Sequence, residues 1–217
     1  LSLVTPATDY KGFGDVDIVV EAVPEKLELK KTVFAELDKV LPLTSIIASN
    51  TSALSITEMA GVTRRAPQVL GLHFFFPASV MKLVEVVSGS ETSEETMDTA
   101  VEFIESLRKL PVRVKECPGF AVNRVLMASM TEILKWIEEN PDSSYEEIDA
   151  VVKERGGVPM GPFTLADTLG LDIVLDVAYT LEKAYGERFA PTPTLLRLVE
   201  SGKKGAKSGA GFYSYTA

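Results

Sequence analysis

Asp17-Ile-Val-Val-Glu-Ala-Val23 runs almost directly into Glu25 to Leu41, where Leu27, Phe34, Leu37 and Leu41 recur at helical spacing. The first segment has the β-branched, apolar character of a buried strand and the second that of an amphipathic helix, so together they read as one βα unit. Downstream the pattern continues. Ser45 to Ser49 reads as the next strand, Leu54 to Ala60 as a short helix, Val69 to Phe75 as a third strand and Lys82 to Val87 as a fourth. Thr92-Ser-Glu-Glu95 is a capping-box signature for a helix through Leu110, and Val112 to Lys115 returns as a strand. Strands separated by helices imply a mostly parallel sheet with helices packed on it. Upstream, Gly12-Phe-Gly14 imitates the start of a phosphate loop, but such a loop follows a strand and opens a helix, whereas this one precedes a strand. It reads as a plain loop.

The character changes at Pro118-Gly119. A long helical pattern runs from Phe120 to Glu139, Asn140-Pro141-Asp142 breaks it, and Ser144-Tyr-Glu-Glu147 caps another helix. Phe163 to Ala184 and Thr194 to Val199 read as further helices, with no strand-like alternation until the last residues. A domain boundary near Glu116 to Gly119 follows, with an α/β part before it and an all-α part after it.

Composition narrows the function. With 22 Lys+Arg against 31 Asp+Glu, the net charge of −9 argues against nonspecific nucleic-acid binding and against an anionic membrane surface. No apolar stretch approaches the length of a membrane span. The single cysteine, Cys117, excludes an internal disulfide and any cysteine-based metal cluster, and it suits a reducing compartment. The chain opens on Leu1-Ser-Leu-Val-Thr5, without the basic and apolar regions of a signal peptide, and reads like the interior of a larger protein.

Three clusters can carry chemistry. His73, the only histidine, lies in Leu72-His-Phe-Phe-Phe-Pro77, and it is the one side chain whose ordinary titration falls near neutrality. Glu85 closes Met81-Lys-Leu-Val-Glu85 on the next strand; a turn around Pro77 to Val80 would set the two strands side by side and bring carboxylate to imidazole. The plain alternatives are a hydrogen-bonded core histidine and an edge-strand charge facing water. Against the second, Leu83, Val84, Val86 and Val87 make an apolar run, and a carboxylate in a buried strand needs a partner. Ser49-Asn-Thr-Ser52 follows directly on a strand, where α/β sheets bind ligands, although the same residues suit a cap for the helix near Leu54. Pro118-Gly-Phe-Ala-Val-Asn-Arg124 breaks the chain before a helix; Asn123 on its first turn either faces back toward the sheet or is a solvent-facing turn residue.

Taken in order, Glu21-Ala-Val-Pro-Glu25 with Lys30, Ser49-Asn-Thr-Ser52, the His-Phe-Phe run, Met81-Lys-Leu-Val-Glu85, Pro118 to Arg124, Pro159-Met-Gly-Pro-Phe163 and Lys207-Ser-Gly-Ala-Gly-Phe-Tyr213 resemble the L-3-hydroxyacyl-CoA dehydrogenases. The resemblance runs from about Thr8 to Tyr215. It implies an incomplete Rossmann-like NAD-binding domain over residues 1–117 and an all-helical dimerisation and substrate-cleft domain over residues 118–217. It implies NAD as cofactor, an acyl-CoA substrate, and the conversion of (S)-3-hydroxyacyl-CoA to 3-oxoacyl-CoA in fatty acid β-oxidation. His73 would be the general base, Glu85 its orienting acid, Ser52 the hydrogen-bond partner of the reacting oxygen, and Asn123 a support for the acyl end. Ala22, Glu25, Lys30, Asn50 and Ser52 would line the cofactor site. The implied assembly is a homodimer or a module of a multifunctional enzyme, in the cytoplasm or an organelle matrix.

Two departures qualify the resemblance. The family run is His-Phe-Phe-Asn-Pro, and here Phe76 stands at the fourth position. Family members also carry a glycine-rich phosphate loop before the position equivalent to Leu1, so the chain looks N-terminally truncated, and these residues alone are expected to bind no NAD and turn over no substrate. The competing reading from a different class is a folded interaction or dimerisation module without a cofactor.

Overall fold

The computed structural model describes residues 3–215; Leu1, Ser2, Thr216 and Ala217, at the outer ends of the two expected domains, lie outside the described residues. The contacts divide the chain between Ala121 and Val122 into two compact units.

The first unit is built on a five-stranded sheet in the order β1 (Ile18–Glu21), β2 (Ile46–Ser49), β3 (Val69–Phe74), β4 (Leu83–Ser88) and β5 (Leu110–Lys115). β1, β2 and β3 run parallel, β4 turns back antiparallel to β3, and β5 runs parallel to β4. Helices α1 (Leu27–Val40), α2 (Ile56–Ala60) and α3 (Glu94–Ser106) connect them. Residues alternate between faces along each strand. Ile47, Val69 and Val87 therefore pack with Phe34, Leu37, Ile56, Met59 and Phe120, while Ile46, Ala48, Leu70, Leu72, Val84 and Val86 pack with Met97, Ala100 and Ile104. Both faces being covered explains why the strand sequences read as apolar runs. Gly71 sits where α2 presses on the sheet: a Cβ there would come within 3.0 Å of Ile56 and Val87.

The sequence reading needs three corrections here. Ser93 rather than Thr92 caps α3, accepting from the Thr96 amide, because the Thr92 hydroxyl is engaged with Val69 O and the Gly89 amide. That helix stops at Ser106 rather than Leu110. Arg108 takes a left-handed φ of 59° and Leu110 already opens β5, where Pro111 is tolerated because β5 pairs on one side only. The helix after Ser49 to Ser52 starts at Ile56, and its cap is Ser55, which accepts from the Glu58 amide.

The second unit holds α4 (Val122–Glu139), α5 (Tyr145–Gly156), α6 (Pro162–Leu169), α7 (Leu171–Tyr185) and α8 (Pro193–Glu200). Ser144 and Glu147 form the expected capping box on α5. Met127, Met130, Leu134, Phe163, Ala166, Leu171, Val174, Ala178, Leu181 and Leu195 make its core. The single helix read over Phe163 to Ala184 is in fact two, broken at Gly170, whose φ of 99° is left-handed territory that favours glycine.

Candidate active site

The antiparallel register of β3 and β4 sets His73 directly opposite Glu85. Directly paired residues of neighbouring strands project on the same face, so the two side chains meet: His73 Nδ1 lies 2.7 Å from Glu85 Oε2. The imidazole is 7% and the carboxylate 1% exposed. An ionised carboxylate only accepts, so in the neutral ring Nδ1 carries the proton and Nε2 keeps a lone pair. Glu85 Oε1 accepts from the Ala121 amide at 2.8 Å, which fixes the carboxylate from its other side. Phe75 and Phe120 flank the ring at 4.4 and 5.9 Å between centroids, so the imidazole is held in one orientation by aromatic packing as well as by its hydrogen bond.

A second polar cluster occupies the carboxyl ends of β1 and β2, where parallel sheets present their ligand crevice. Lys30 is 1% exposed and its ammonium reaches Glu21 Oε1 at 2.9 Å and Glu25 Oε2 at 3.3 Å. Glu21, equally buried, also accepts from Ser49 Oγ at 2.7 Å. Glu25 stays 44% exposed and accepts from Thr51 Oγ1 at 2.5 Å and the Ser52 amide at 2.9 Å. Asn50 Oδ1 accepts from the Phe74 amide at 2.9 Å, tying the end of β2 to the end of β3, one residue past His73. Ala22 is exposed just after β1. Ala22, Glu25, Lys30, Asn50 and Ser52 are thus gathered around the ends of β1 and β2, with Asn50 linking them to the His73 strand. Asn123 is the second residue of α4, in the helical unit.

Ser49 to Ser52 was open between ligand crevice and helix cap. Ser55 caps α2, and Thr51 Oγ1 accepts from the Leu54 amide only to close the turn before it. Glu21 and Thr51, quoted in the motifs without a role, are structural members of the cluster. Glu21 is a carboxylate inside an apolar strand, and the argument applied to Glu85 would have found it. Thr51 carries no such signal, because a lone hydroxyl in a polar loop looks solvated.

An exposed carboxylate and a nearby amide side chain at the sheet's carboxyl end fit a nicotinamide, cationic when oxidised, and its ribose hydroxyls, while among the described residues no glycine-rich strand-to-helix loop for a pyrophosphate occurs.

Comparison with known proteins agrees with that chemistry. The model for the 3-hydroxyacyl-CoA dehydrogenase NAD binding domain matches residues 1–117 and that for the 3-hydroxyacyl-CoA dehydrogenase C-terminal domain matches residues 119–215. The chain is 43% identical over 216 residues to 3-hydroxybutyryl-CoA dehydrogenase of Clostridioides difficile, covering 99% of this chain and 76% of that protein. It is 41% identical over 216 residues to the fatty acid oxidation complex subunit alpha of Shewanella amazonensis, covering 99% of this chain and 30% of that one. The crystal structure of (S)-3-hydroxybutyryl-CoA dehydrogenase from Ralstonia eutropha is similar at a TM-score of 0.92 and 38% identity, covering 97% of this chain and 75% of that chain.

Proposed function

This chain belongs to the 3-hydroxyacyl-CoA dehydrogenase family, and on that premise we propose that it converts (S)-3-hydroxyacyl-CoA to 3-oxoacyl-CoA with NAD in fatty acid β-oxidation. The observation that carries the reading is the buried contact of His73 with Glu85 at the end of β3. Oxidising a secondary alcohol requires its hydroxyl proton to leave as hydride departs C3, so a base must stand within hydrogen-bond reach. His73 Nε2 is that base. Glu85 holds the tautomer through Nδ1 and offsets the imidazolium charge once the proton arrives. In the reverse direction the same imidazolium returns the proton to the developing alkoxide. Ser52 hydrogen-bonds the reacting oxygen and Asn123 supports the acyl end.

NAD, when bound, supplies the hydride acceptor. Ala22, Glu25, Asn50 and Ser52 line its nicotinamide end. The ammonium of Lys30 is already committed to two carboxylates, so its part there is to hold Glu25 in place. Residues 1–117 act as the remainder of the NAD-binding domain and residues 118–217 as the dimerising, cleft-closing part, in a homodimer or within a multifunctional enzyme of the cytoplasm or an organelle matrix. Among the described residues no helix is long and apolar enough to cross a membrane. The deciding experiment follows NADH formation by the complete gene product with 3-hydroxyacyl-CoA substrates of short and long chain. NAD-dependent turnover is expected; no turnover at any chain length overturns the proposal.

A further inference from the structure

We propose that the loop from Phe75 to Met81, with Phe76 at its centre, is the surface on which the acyl chain of the substrate lies, and that Phe76 sets the preference for chain length. The inference rests on the reading of His73 as the base. Phe76 is 86% exposed, Val80 71% and Met81 41%. Single exposed apolar residues are ordinary, but three on one short loop directly beyond the strand that carries His73 leave that loop rich in apolar surface open to a partner. Phe75 packs against the imidazole and so belongs to the base; Phe76, the next residue, is left to solvent.

The loop is already ordered. The amides of Val80 and Met81 donate to Pro77 O at 2.9 and 3.0 Å, and Lys109 Nζ donates to Ala78 O and Met81 O at 2.5 and 2.8 Å. A ring held out by such a frame loses little further freedom when a ligand covers it, so apolar burial there converts efficiently into binding.

Position and chemistry choose the occupant. Phe76 is three residues beyond His73, at most about 10 Å along the chain, so a substrate whose C3 meets His73 carries its next carbons within reach of the ring. From Phe75 to Met81 the sequence Phe-Phe-Pro-Ala-Ser-Val-Met holds no ionisable side chain. The one ammonium at the loop, that of Lys109, is engaged by the Ala78 and Met81 carbonyls, whereas hydrocarbon finds three apolar side chains. Where the family run carries an amide, this chain therefore presents an apolar wall.

The test measures kcat/KM for 3-hydroxyoctanoyl-CoA and 3-hydroxybutyryl-CoA, and calorimetric affinity for the matching saturated acyl-CoAs, in the wild type, Phe76→Ala, Phe76→Asn and Phe76→Leu. In the wild type each added methylene raises kcat/KM and affinity by up to about fourfold. Phe76→Ala and Phe76→Asn reduce the octanoyl-to-butyryl ratio by about tenfold or more, through KM, and Phe76→Leu retains most of it. An unchanged ratio in Phe76→Ala overturns the inference. So does an equal gain in kcat with both substrates in Phe76→Asn, which would mean that the ring only displaces a useful amide. Because affinity is read without turnover, chain-length-dependent binding that Phe76→Ala abolishes upholds the platform even in a protein that forms no NADH, a result that instead counts against the proposed function.

Discussion

Glu85 in the sheet unit and Asp167 in the helical unit are both buried carboxylates, and their partners differ in kind. Glu85 divides its oxygens between the His73 ring nitrogen and the Ala121 amide. Asp167 accepts from the amides of Phe212 and Tyr213 and from the Tyr215 hydroxyl, each at 3.0 Å. Asp149 nearby does the same for the amides of Phe163 and Thr164 and for the hydroxyls of Thr164 and Tyr213. Amides never change protonation in water and these phenols hold their protons unusually firmly, so the aspartates are static clamps that fasten the C-terminal segment onto α5 and α6. Glu85 instead faces an imidazole, whose ring nitrogens can both give and take a proton. A buried carboxylate becomes a candidate for chemistry when its partner can gain and lose a proton.

The largest effect that would break this contrast is in Glu85→Gln. The amide can still receive the Ala121 hydrogen bond, but toward His73 it donates, which forces Nδ1 to accept and moves the ring proton to Nε2. The base then has no lone pair to offer. We expect turnover to fall by about 10²–10⁴-fold with little change in the urea midpoint; a variant as active as the wild type would place Glu85 among the clamps. Asp167→Ala should do the reverse. It strands three donors, at about 1–3 kcal/mol for each that stays buried and unsatisfied, so we expect a loss of about 2–4 kcal/mol in urea unfolding with turnover per folded molecule nearly kept.

A smaller effect sharpens the contrast through pH. Burial first, and then the bond to the Asp167 carboxylate, push the Tyr215 phenol up to about 12 from its ordinary 10.0. Tyr213 is raised as well, by burial and by Asp149. Between the two Tyr215 values an unfolded chain has released the proton while the folded chain keeps it. The contribution to stability is therefore complete below about pH 10, falls as pH rises and is exhausted beyond about 12. Thermal melts across that range should show Tyr215→Phe losing stability less steeply than the wild type. Equal slopes would mean that the clamp does not hold the phenol.

The sheet unit was more legible than the helical one, for reasons visible in single residues. Strand and helix periods differ sharply, so β1 to β4 and α1 fell within about two residues of their observed limits. The meeting of His73 with Glu85 followed from a turn, a register and the need of a buried carboxylate for a partner. Gly170 was not legible, because apolar spacing continues on both sides of it and a glycine alone does not end a helix. What marks the break is the backbone itself, which takes a φ of 99° at Gly170, and apolar spacing does not announce that. The cap of α3 was misread because Ser93 and Thr92 offer the same hydroxyl, and only the fold shows that Thr92 is engaged by β3. In the site, Thr51 is tied to the cluster through Glu25, which lies 26 residues away in sequence.

As the base of an NAD-dependent 3-hydroxyacyl-CoA dehydrogenase, His73 has a role that is chemical rather than structural. It is tested most directly by the single-turnover rate of NADH formation in His73→Ala at saturating 3-hydroxyacyl-CoA, measured beside the melting curve of the same preparation. We expect a rate reduced by about 10²–10⁴-fold on a protein that still melts cooperatively. A rate like that of the wild type would contradict it.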